Sequence, residues 1–400
     1  MAGHMRFKVE RLRQWMTLAS HYLGIEITDS AVKLTELMIK SGASASVTSC
    51  IREPLPVDAV QDGKIMRPHE LVRTLQTAKA RLKKRTSRAN ISLPSQNVMV
   101  RFMKFPDIPV KELRQVIDFE IKHNIHLPFE DPVYDFVKLN GHHNQRSSVR
   151  LMKRNPPNIQ QSAAIKEAAA SSESLFGGKN SDPFADLDQT ADVVHEELCD
   201  VMLVAVPRPM VEQYVDLFKQ AGIKIASIEI KAMSLFRCLQ SIDAQLKGTY
   251  LLIDINDTIC DVNVFSDGQL KISRNVQVAF QEKEQAKEEH DDPFSWLSGA
   301  DSHGDSGFTN ACSELAHELE RLINFYKYTL NNRNEEFGAL FIAGDVSRLD
   351  EISEYLQNRL SLKVTSLQAS VSWDKELRAK TVASEAFATT IGLALRGAAT

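Results

Sequence analysis

Two short segments, far apart in the chain, carry the same pattern of carboxylates and hydroxyls. Residues 25–34 and 253–262 each begin with an apolar stretch that contains one acid, Glu26 in the first and Asp254 in the second. Each continues through a polar turn of Thr or Asn, Asp, and Ser or Thr, and ends in a second apolar stretch. Such a turn presents backbone N–H groups and hydroxyls to an anion, and a strand carboxylate can hold a metal-bound water. The pattern indicates a phosphate site if the two turns face each other across a cleft.

The same segments predict the elements that must position these side chains. Apolar residues on both sides of a polar turn are typical of a β-hairpin, and its recurrence late in the chain indicates two similar domains. Apolar strands such as residues 201–206 alternate with amphipathic helices such as residues 210–221, which indicates an α/β sheet fold. The alternative is that the two hairpins are unrelated and share only ordinary turn residues.

Two further features could contribute to a ligand site. Residues 338–344 are predicted to form a strand that ends at Gly344 before a helix, a junction that can bring a helix N-terminus near a ligand. Glu318 and Arg321 lie beside the apolar stripe of a helix predicted over residues 312–330. The alternative for this pair is a surface ion pair, since residues three apart are neighbours on a helix.

Composition excludes several classes of protein. With 400 residues, 43% hydrophobic and 25% charged, the chain is a globular protein of more than one domain. Its 48 Lys and Arg against 52 Asp and Glu give a net charge of −4, so we expect no nucleic-acid partner. Five separated cysteines fit a reduced, cytoplasmic setting rather than a disulfide framework. No apolar run reaches the about 18 residues that mark a membrane-spanning helix, so we expect no transmembrane segment.

Several segments occur in a fixed order along the chain. Three hairpin or loop segments lie at residues 24–37, 251–265 and 340–356. Leu93-Pro94 and the segment around residues 127–130 bracket a region of strands and a helix, and residues 318–326 and 391–397 lie in later helices. In this order they resemble the PilM family of type IV pilus assembly proteins, within the actin-like ATPase superfamily that includes FtsA. The resemblance implies an α/β, duplicated actin-like (ribonuclease H-like) two-domain fold with a small inserted α+β subdomain.

The resemblance divides the chain into five parts. They are a basic lead-in over residues 1–20, the first part of the first actin-like domain over 21–88, an inserted PilM-type subdomain over 89–230, the second actin-like domain over 231–365, and a return to the first domain over 366–400. A polar stretch of about residues 140–197 and an acidic stretch of about residues 281–310 are typical of flexible surface insertions.

The chain departs from the family where a phosphate would bind. The family's two hairpin loops carry Asp-x-Gly, but this chain reads Glu-Ile-Thr at 26–28 and Asp-Ile-Asn at 254–256, and only Gly344 remains of a glycine-rich third loop. Glycine lets the backbone approach phosphate closely. The aspartates of the three loops (Asp29, Asp257 and Asp345) also add negative charge, which Lys33 offsets only in part. The resemblance therefore implies that the fold is kept and nucleotide binding is weakened or lost.

The first functional hypothesis is a cytoplasmic scaffold of a type IV pilus or related secretion or assembly machine, peripheral at the inner membrane through a partner. The resemblance implies that the N-terminal cytoplasmic tail of a PilN-like inner-membrane protein binds between the first domain and the inserted subdomain. We place that contact near Leu93, Val100, Phe102 and Phe119. The assembly ATPase of the machine is a second candidate partner.

The alternative is an actin-like ATP-binding protein or slow ATPase that acts as a nucleotide-dependent switch, although we favour no enzymatic activity. In that case Glu26 and Asp254 would be the catalytic residues, with Asp254 as the Mg²⁺ ligand. ATP and Mg²⁺ are candidate cofactors under this alternative alone. The nucleotide would then contact Asp29, Ser30, Lys33, Asp257, Thr258, Glu318, Arg321 and Gly344. A second alternative is an FtsA-like filament-forming protein.

Overall fold

The structure is a computed structural model of the chain. It describes residues 20–39, 45–84, 86–139, 198–243, 246–280, 303–374, 377 and 383–397. The basic lead-in before residue 20, the polar stretch at 140–197 and residues 281–302 of the acidic stretch lie outside the described residues. The predictions made for those segments stay predictions.

The first sheet is built on the first predicted hairpin. Strands β1 (Ser20–Ile27), β2 (Ala31–Ile39) and β3 (Ser46–Pro54) are antiparallel, and β2 lies between β1 and β3. A small hairpin of β4 (Val60–Gln61) and β5 (Lys64–Ile65) precedes helix α1 (Pro68–Ala80). Strand β6 (Arg88–Ser92) then pairs with β1 in parallel. Apolar side chains of β1 and β2 pack against Leu71 and Leu75 of α1, because alternate strand residues point to that face.

A separate three-stranded sheet follows in the chain. It consists of strands β7 (Met99–Pro106), β8 (Pro132–Lys138) and β9 (Leu198–Pro207), in the order β7-β9-β8. Helix α2 (Val110–His123) lies between β7 and β8 in the chain. Leu113 and Ile117 of α2 pack on one face of this sheet against Phe136, Val201 and Leu203. This α+β unit, from Met99 to Pro207, is the body of the inserted subdomain.

The chain then returns to the first sheet. Helix α3 (Arg208–Gln220) packs beside α1, and strand β10 (Lys224–Glu229) pairs with β6 in parallel. These five strands lie in the order β10-β6-β1-β2-β3. On one side of β1 the strands β2 and β3 are antiparallel, and on its other side β6 and β10 are parallel to it. Helix α4 (Lys231–Gln240) leads from β10 to the second half of the chain.

The second sheet repeats this order. Strands β11 (Thr249–Ile255), β12 (Ile259–Ser266) and β13 (Gln269–Gln277) are antiparallel, and β14 (Phe337–Gly344) and β15 (Val364–Ser366) continue in parallel beside β11. Helices α5 (His303–Asn324) and α6 (Leu349–Leu360) cover one face of this sheet. The equal strand order in the two sheets confirms the duplication that the hairpins predicted.

The C-terminal part of the described chain returns to the first sheet. The short strand β16 (Ser372–Trp373) pairs with β3, and helix α7 (Ala388–Arg396) packs on β1 and against α4. The two helices cross closely, since a Cβ added at Gly392 of α7 would lie 1.9 Å from the Ser234 carbonyl oxygen of α4. A Cβ added at Gly24 of β1 would lie 2.0 Å from the Thr390 carbonyl oxygen. The crossing of α4 and α7 therefore joins the two halves of the molecule.

Candidate functional site

The two hairpin turns line one cavity between the two sheets. Both turns are closed in the same way, since the Thr28 N–H donates to the Ala31 carbonyl and the Asn256 N–H donates to the Ile259 carbonyl, each at 2.9 Å. Residues 92–96, which follow β6, form a third wall. The cavity that remains has a volume of only about 50 Å³. We call this space the cleft.

A buried lysine, Lys231, occupies the space beside the cleft. It is the first residue of α4, and its ammonium nitrogen Nζ lies 3.0 Å from Glu26 Oε1 and 2.8 Å from Asp261 Oδ2. It also contacts Asp254 Oδ2. One cation therefore faces three carboxylates, one on β1 and two on the β11–β12 hairpin.

The charges of this group depend on one another. Burial alone disfavours the charged form of Lys231, but Asp254, Asp261 and Glu26 outweigh it and raise the pKa of the lysine well above its usual range. Burial likewise opposes ionisation of Asp254, but Lys231 and then Lys33 outweigh it and lower the pKa of that carboxyl. For Asp261, burial prevails over Lys231 and raises the pKa. The other oxygen of Asp261 accepts hydrogen bonds from the side chains of Ser95 and Asn275.

The predicted phosphate contact Lys33 is held by the chain itself. Its Nζ lies 3.5 Å from Glu26 Oε2 and 3.8 Å from Asp345 Oδ2, and it donates to the Ala386 carbonyl oxygen at 3.2 Å. Asp345 also pairs with Arg52, whose Nε lies 2.6 Å from Oδ2. The negative charge of Asp345 is thus neutralised by Lys33 and Arg52 of the same chain.

The other turn residues predicted to contact a nucleotide line the cleft: Asp29, Ser30, Asp257 and Thr258. The Asp29 carboxylate accepts the backbone N–H groups of Asp62 and Gly63, both at 3.0 Å, in the β4–β5 hairpin. The Asp257 carbonyl oxygen accepts the Phe280 N–H at 3.0 Å. Asp29 therefore orders a neighbouring turn, which is a sufficient reason for an aspartate at that position.

The remaining predicted nucleotide contacts lie elsewhere. Glu318 pairs with Arg321 on α5, and both line a separate depression of about 480 Å³ beside Phe325. Gly344 ends β14 with a φ of +147°, and a Cβ there would lie 2.1 Å from the Ile255 carbonyl oxygen. This glycine is thus required by the packing of β14 on β11.

The residues of the cleft do not fit ATP with Mg²⁺. A cavity of about 50 Å³ is far below the several hundred Å³ typical of small-molecule sites. Asp254, the predicted metal ligand, is already bound to Lys231 and accepts a hydrogen bond from Asn256 Nδ2 at 3.1 Å. Within the part of the chain that the structure describes, no group of three or more His, Cys, Asp or Glu is arranged to hold a metal ion. We therefore derive no catalytic step through a nucleotide.

A larger cavity of about 350 Å³ separates the inserted subdomain from the first sheet. We call it the groove. Residues 133–137 of β8 and residues 228–230 at the end of β10 line it consecutively. Neighbouring residues of a strand point to opposite faces of the sheet, so a cavity on one face would be lined by every second residue only. Because consecutive residues line this groove, it lies along the edges of the two strands. In the sheets described, β8 and β10 are edge strands, whose outer backbone groups can pair with an added strand.

The walls of the groove are mainly apolar. They include Met202, Val204, Val206, Val211 and Met233. At one side Glu229 pairs with two arginines, since its Oε1 lies 2.6 Å from Arg237 Nη2 and 2.8 Å from Arg396 Nη1. The groove thus combines apolar pockets with two strand edges and, at one side, a group of two arginines and one glutamate.

The four residues predicted for partner contact are not all on one face. Leu93 lines the groove. Val100 and Phe102 of β7 pair in register with Val204 and Met202, which places them on the same face of the sheet as two groove residues. Phe119 lies on α2, which covers the opposite face, and it is 57% exposed. The structure thus brings three of the four to the groove side and leaves Phe119 apart.

Comparison with known proteins finds a family that matches part of the chain and a solved structure with a similar fold. Residues 24–168 match the family model for the type IV pilus assembly protein PilM. The resemblance to PilM is confirmed. A solved PilM–PilN type IV pilus biogenesis complex is 18% identical, with a TM-score of 0.68, and the match covers 94% of this chain and 98% of that chain. At this identity the likeness concerns the fold, and it confirms the predicted duplicated actin-like fold with a small inserted subdomain.

Other solved structures are similar at lower scores. The ethanolamine utilization protein EutJ from Carboxydothermus hydrogenoformans is 9% identical with a TM-score of 0.43, covering 94% of this chain and 89% of that chain. An inorganic polyphosphate/ATP-glucomannokinase from Arthrobacter is 13% identical with a TM-score of 0.40, covering 95% and 99%. No curated protein matches the chain.

Sequence reasoning missed Lys231. The residue has no counterpart in the repeated hairpins, because it lies at the start of α4. One signal was present, since the partial positive charge at a helix N-terminus disfavours a cation in the first turn. A lysine there needs nearby carboxylates, but the sequence does not show which ones.

Proposed function

We propose that this protein is a scaffold of a type IV pilus or a related secretion or assembly machine, and that it binds the cytoplasmic tail of a PilN-like inner-membrane protein. The observation that carries the proposal is the apolar groove between two strand edges in a chain whose residues 24–168 match PilM. The similar solved structure is a complex of PilM with PilN. This partner would hold the protein at the cytoplasmic face of the inner membrane. No helix in the described ranges has the length and apolar character needed to cross a bilayer.

The groove favours an extended peptide over a compact ligand. A tail that lies along β8 gains main-chain hydrogen bonds to the strand edge, and its alternate side chains enter the apolar pockets. Because the groove wall is mainly apolar, it favours aliphatic side chains along most of its length. At one side, Arg237 and Arg396 beside the single carboxylate of Glu229 leave one positive charge. We do not propose ATP hydrolysis, since Lys231 already binds the carboxylates beside a cleft of only about 50 Å³.

The test is binding of the N-terminal cytoplasmic tail peptide of the PilN-like protein from the same organism, measured by isothermal titration calorimetry. We expect saturable binding in the micromolar range. Val133→Arg, which places a charge in the groove wall, is expected to weaken binding at least about tenfold, since an unpaired charge is costly in an apolar site.

The matched control is Val215→Arg on α3. Val215 is 43% exposed and lies outside the groove, so binding should be unchanged. Phe119→Ala should also leave affinity unchanged, because Phe119 lies on the side of the inserted sheet away from the groove. Equal losses in Val133→Arg and Val215→Arg, or no binding by the wild type, would contradict the proposal.

A further inference from the structure

We propose that Lys231 is a built-in counter-cation that takes the place of a bound metal ion and holds the two halves of the molecule together around the cleft without a ligand. The proposal concerns the cleft and does not depend on what binds the groove.

The contacts of the ammonium group join the two halves. Glu26 belongs to β1 of the first sheet, while Asp254 and Asp261 belong to the hairpin of the second sheet. The same nitrogen contacts all three: it lies 3.0 Å from Glu26 Oε1 and 2.8 Å from Asp261 Oδ2, and it also contacts Asp254 Oδ2. Lys231 itself lies at the junction of β10 and α4, where the chain passes from one half to the other.

The carboxylates need this cation. All three are buried and bind one nitrogen, so their oxygens lie within a few ångströms of one another. Buried like charges at such distances must either take up protons or be neutralised by a cation. The alternative cation, Lys33, is shared between Glu26 and Asp345 and donates to the Ala386 carbonyl. Lys231 therefore supplies the positive charge on which Asp254 and Asp261 depend.

A tethered cation differs from a bound one. It cannot be released or exchanged, so the closed arrangement would not vary with nucleotide concentration. A phosphate or Mg²⁺ would have to fit into a cavity of about 50 Å³. It would also have to displace an ammonium group that three carboxylates hold. We therefore infer that the cleft is a permanent structural joint in this protein.

The first experiment uses the wild-type protein alone. Its melting temperature is measured with increasing millimolar ATP and Mg²⁺, and with Mg²⁺ alone. A ligand that binds the native state raises the melting temperature with concentration. We expect no saturable rise in either titration. A saturable rise with ATP and Mg²⁺ would overturn the proposal, and this arm requires no variant to fold.

The second experiment removes the cation. Lys231→Met leaves three buried carboxylates without their counter-charge, and we expect the melting temperature to fall by about 5 °C or more. Adding Asp254→Asn to this variant should recover part of the loss, because the two side chains depend on each other. The double variant also keeps the test valid if Lys231→Met alone does not fold.

The control is Lys219→Met on α3, where an exposed lysine changes to the same residue. Its melting temperature should stay within about 1 °C of the wild type. If Lys231→Met is as stable as Lys219→Met, the lysine does not hold the cleft and the proposal fails. If Asp254→Asn lowers stability equally with and without Lys231, the two residues are not coupled, and the proposal also fails.

Discussion

At the scale of single residues, the polar side chains near the cleft are mostly paired within the chain. Lys33 and Arg52 form ion pairs with Asp345, and Lys231 forms ion pairs with carboxylates of both hairpins. The Asp29 carboxylate accepts backbone N–H groups of the β4–β5 hairpin. In a ligand-dependent site such groups would stay partly open for the ligand. Here their internal partners make each of them part of the fold.

A half-buried carboxylate outside the cleft gives a prediction at the same scale. Glu335 Oε2 accepts hydrogen bonds from the Tyr326 hydroxyl at 2.6 Å and the Ser266 hydroxyl at 3.1 Å, and also from Thr249. Burial acts to raise the pKa of Glu335, but these hydrogen bonds outweigh it and lower the pKa. Because the folded pKa lies below the unfolded one, the unfolded state binds more protons as pH falls from about 4.5.

We therefore expect the stabilisation from Glu335 to be complete above about pH 4.5 and to be lost as the pH falls through its lower folded pKa. Urea unfolding of the wild type and of Glu335→Gln at several pH values measures this difference. The gap in free energy of unfolding should be constant near neutral pH and should shrink on acidification. A gap that widens on acidification would contradict the assignment.

At the scale of elements, the two crossing helices and the inserted sheet set the geometry of both cavities. The crossing of α4 and α7 joins the halves and brings the start of α4 to the cleft. The inserted sheet has one face closed by α2, and its other face turns to the groove. A sheet with an edge strand beside an apolar cavity is suited to accept an extended segment.

The helix crossing predicts opposite effects for two glycine substitutions. In an exposed helix, replacing glycine by alanine adds about 1 kcal/mol of stability. Gly307 of α5 has no atom within 4 Å of an added Cβ, so Gly307→Ala should stabilise the protein by about that amount. Gly392→Ala should instead destabilise it by about 1–3 kcal/mol or more, because its Cβ would overlap the Ser234 carbonyl.

Chemical denaturation of the two variants checks this prediction, with Gly307→Ala as the matched helix substitution. If both alanines stabilise the protein, α4 and α7 do not cross as closely as the structure shows. If both destabilise it, the loss at Gly392 is not specific to the crossing.

At the scale of the whole molecule, the groove and the cleft lie on the same framework but have opposite characters. The groove is open and apolar between two strand edges, whereas the cleft is small and filled by charged side chains. We therefore expect stability to respond to a peptide and not to a nucleotide.

This difference gives a prediction for the tail peptide. At a free peptide concentration about 100 times its Kd, binding to the native state should add about 2.7 kcal/mol to the free energy of unfolding. Differential scanning fluorimetry with increasing peptide measures the accompanying rise in melting temperature. Val133→Arg should need proportionally more peptide for the same rise, while Val215→Arg should follow the wild type. Stabilisation that is equal in all three proteins would place the peptide outside the groove.

The sequence by itself determined the features that depend on neighbours along the chain. The apolar strands on either side of each polar turn predicted two hairpins, and their recurrence predicted the duplication, because alternation and turn chemistry are local properties. The order of short segments indicated the PilM resemblance and the inserted subdomain. It also indicated that residues 26–28 and 254–256 depart from the Asp-x-Gly pattern of the family that the chain resembles.

Only the tertiary structure decided which charged side chains form ion pairs with one another. The partners of Lys231 come from β1 and from the second hairpin, and no local pattern relates these segments to the start of α4. Likewise, the helical pattern of α2 does not show that Phe119 points away from the groove, since that depends on which face packs on the sheet. Electrostatic compensation and exposure depend on distances in space, and these distances follow from the packing of elements that are far apart in the chain.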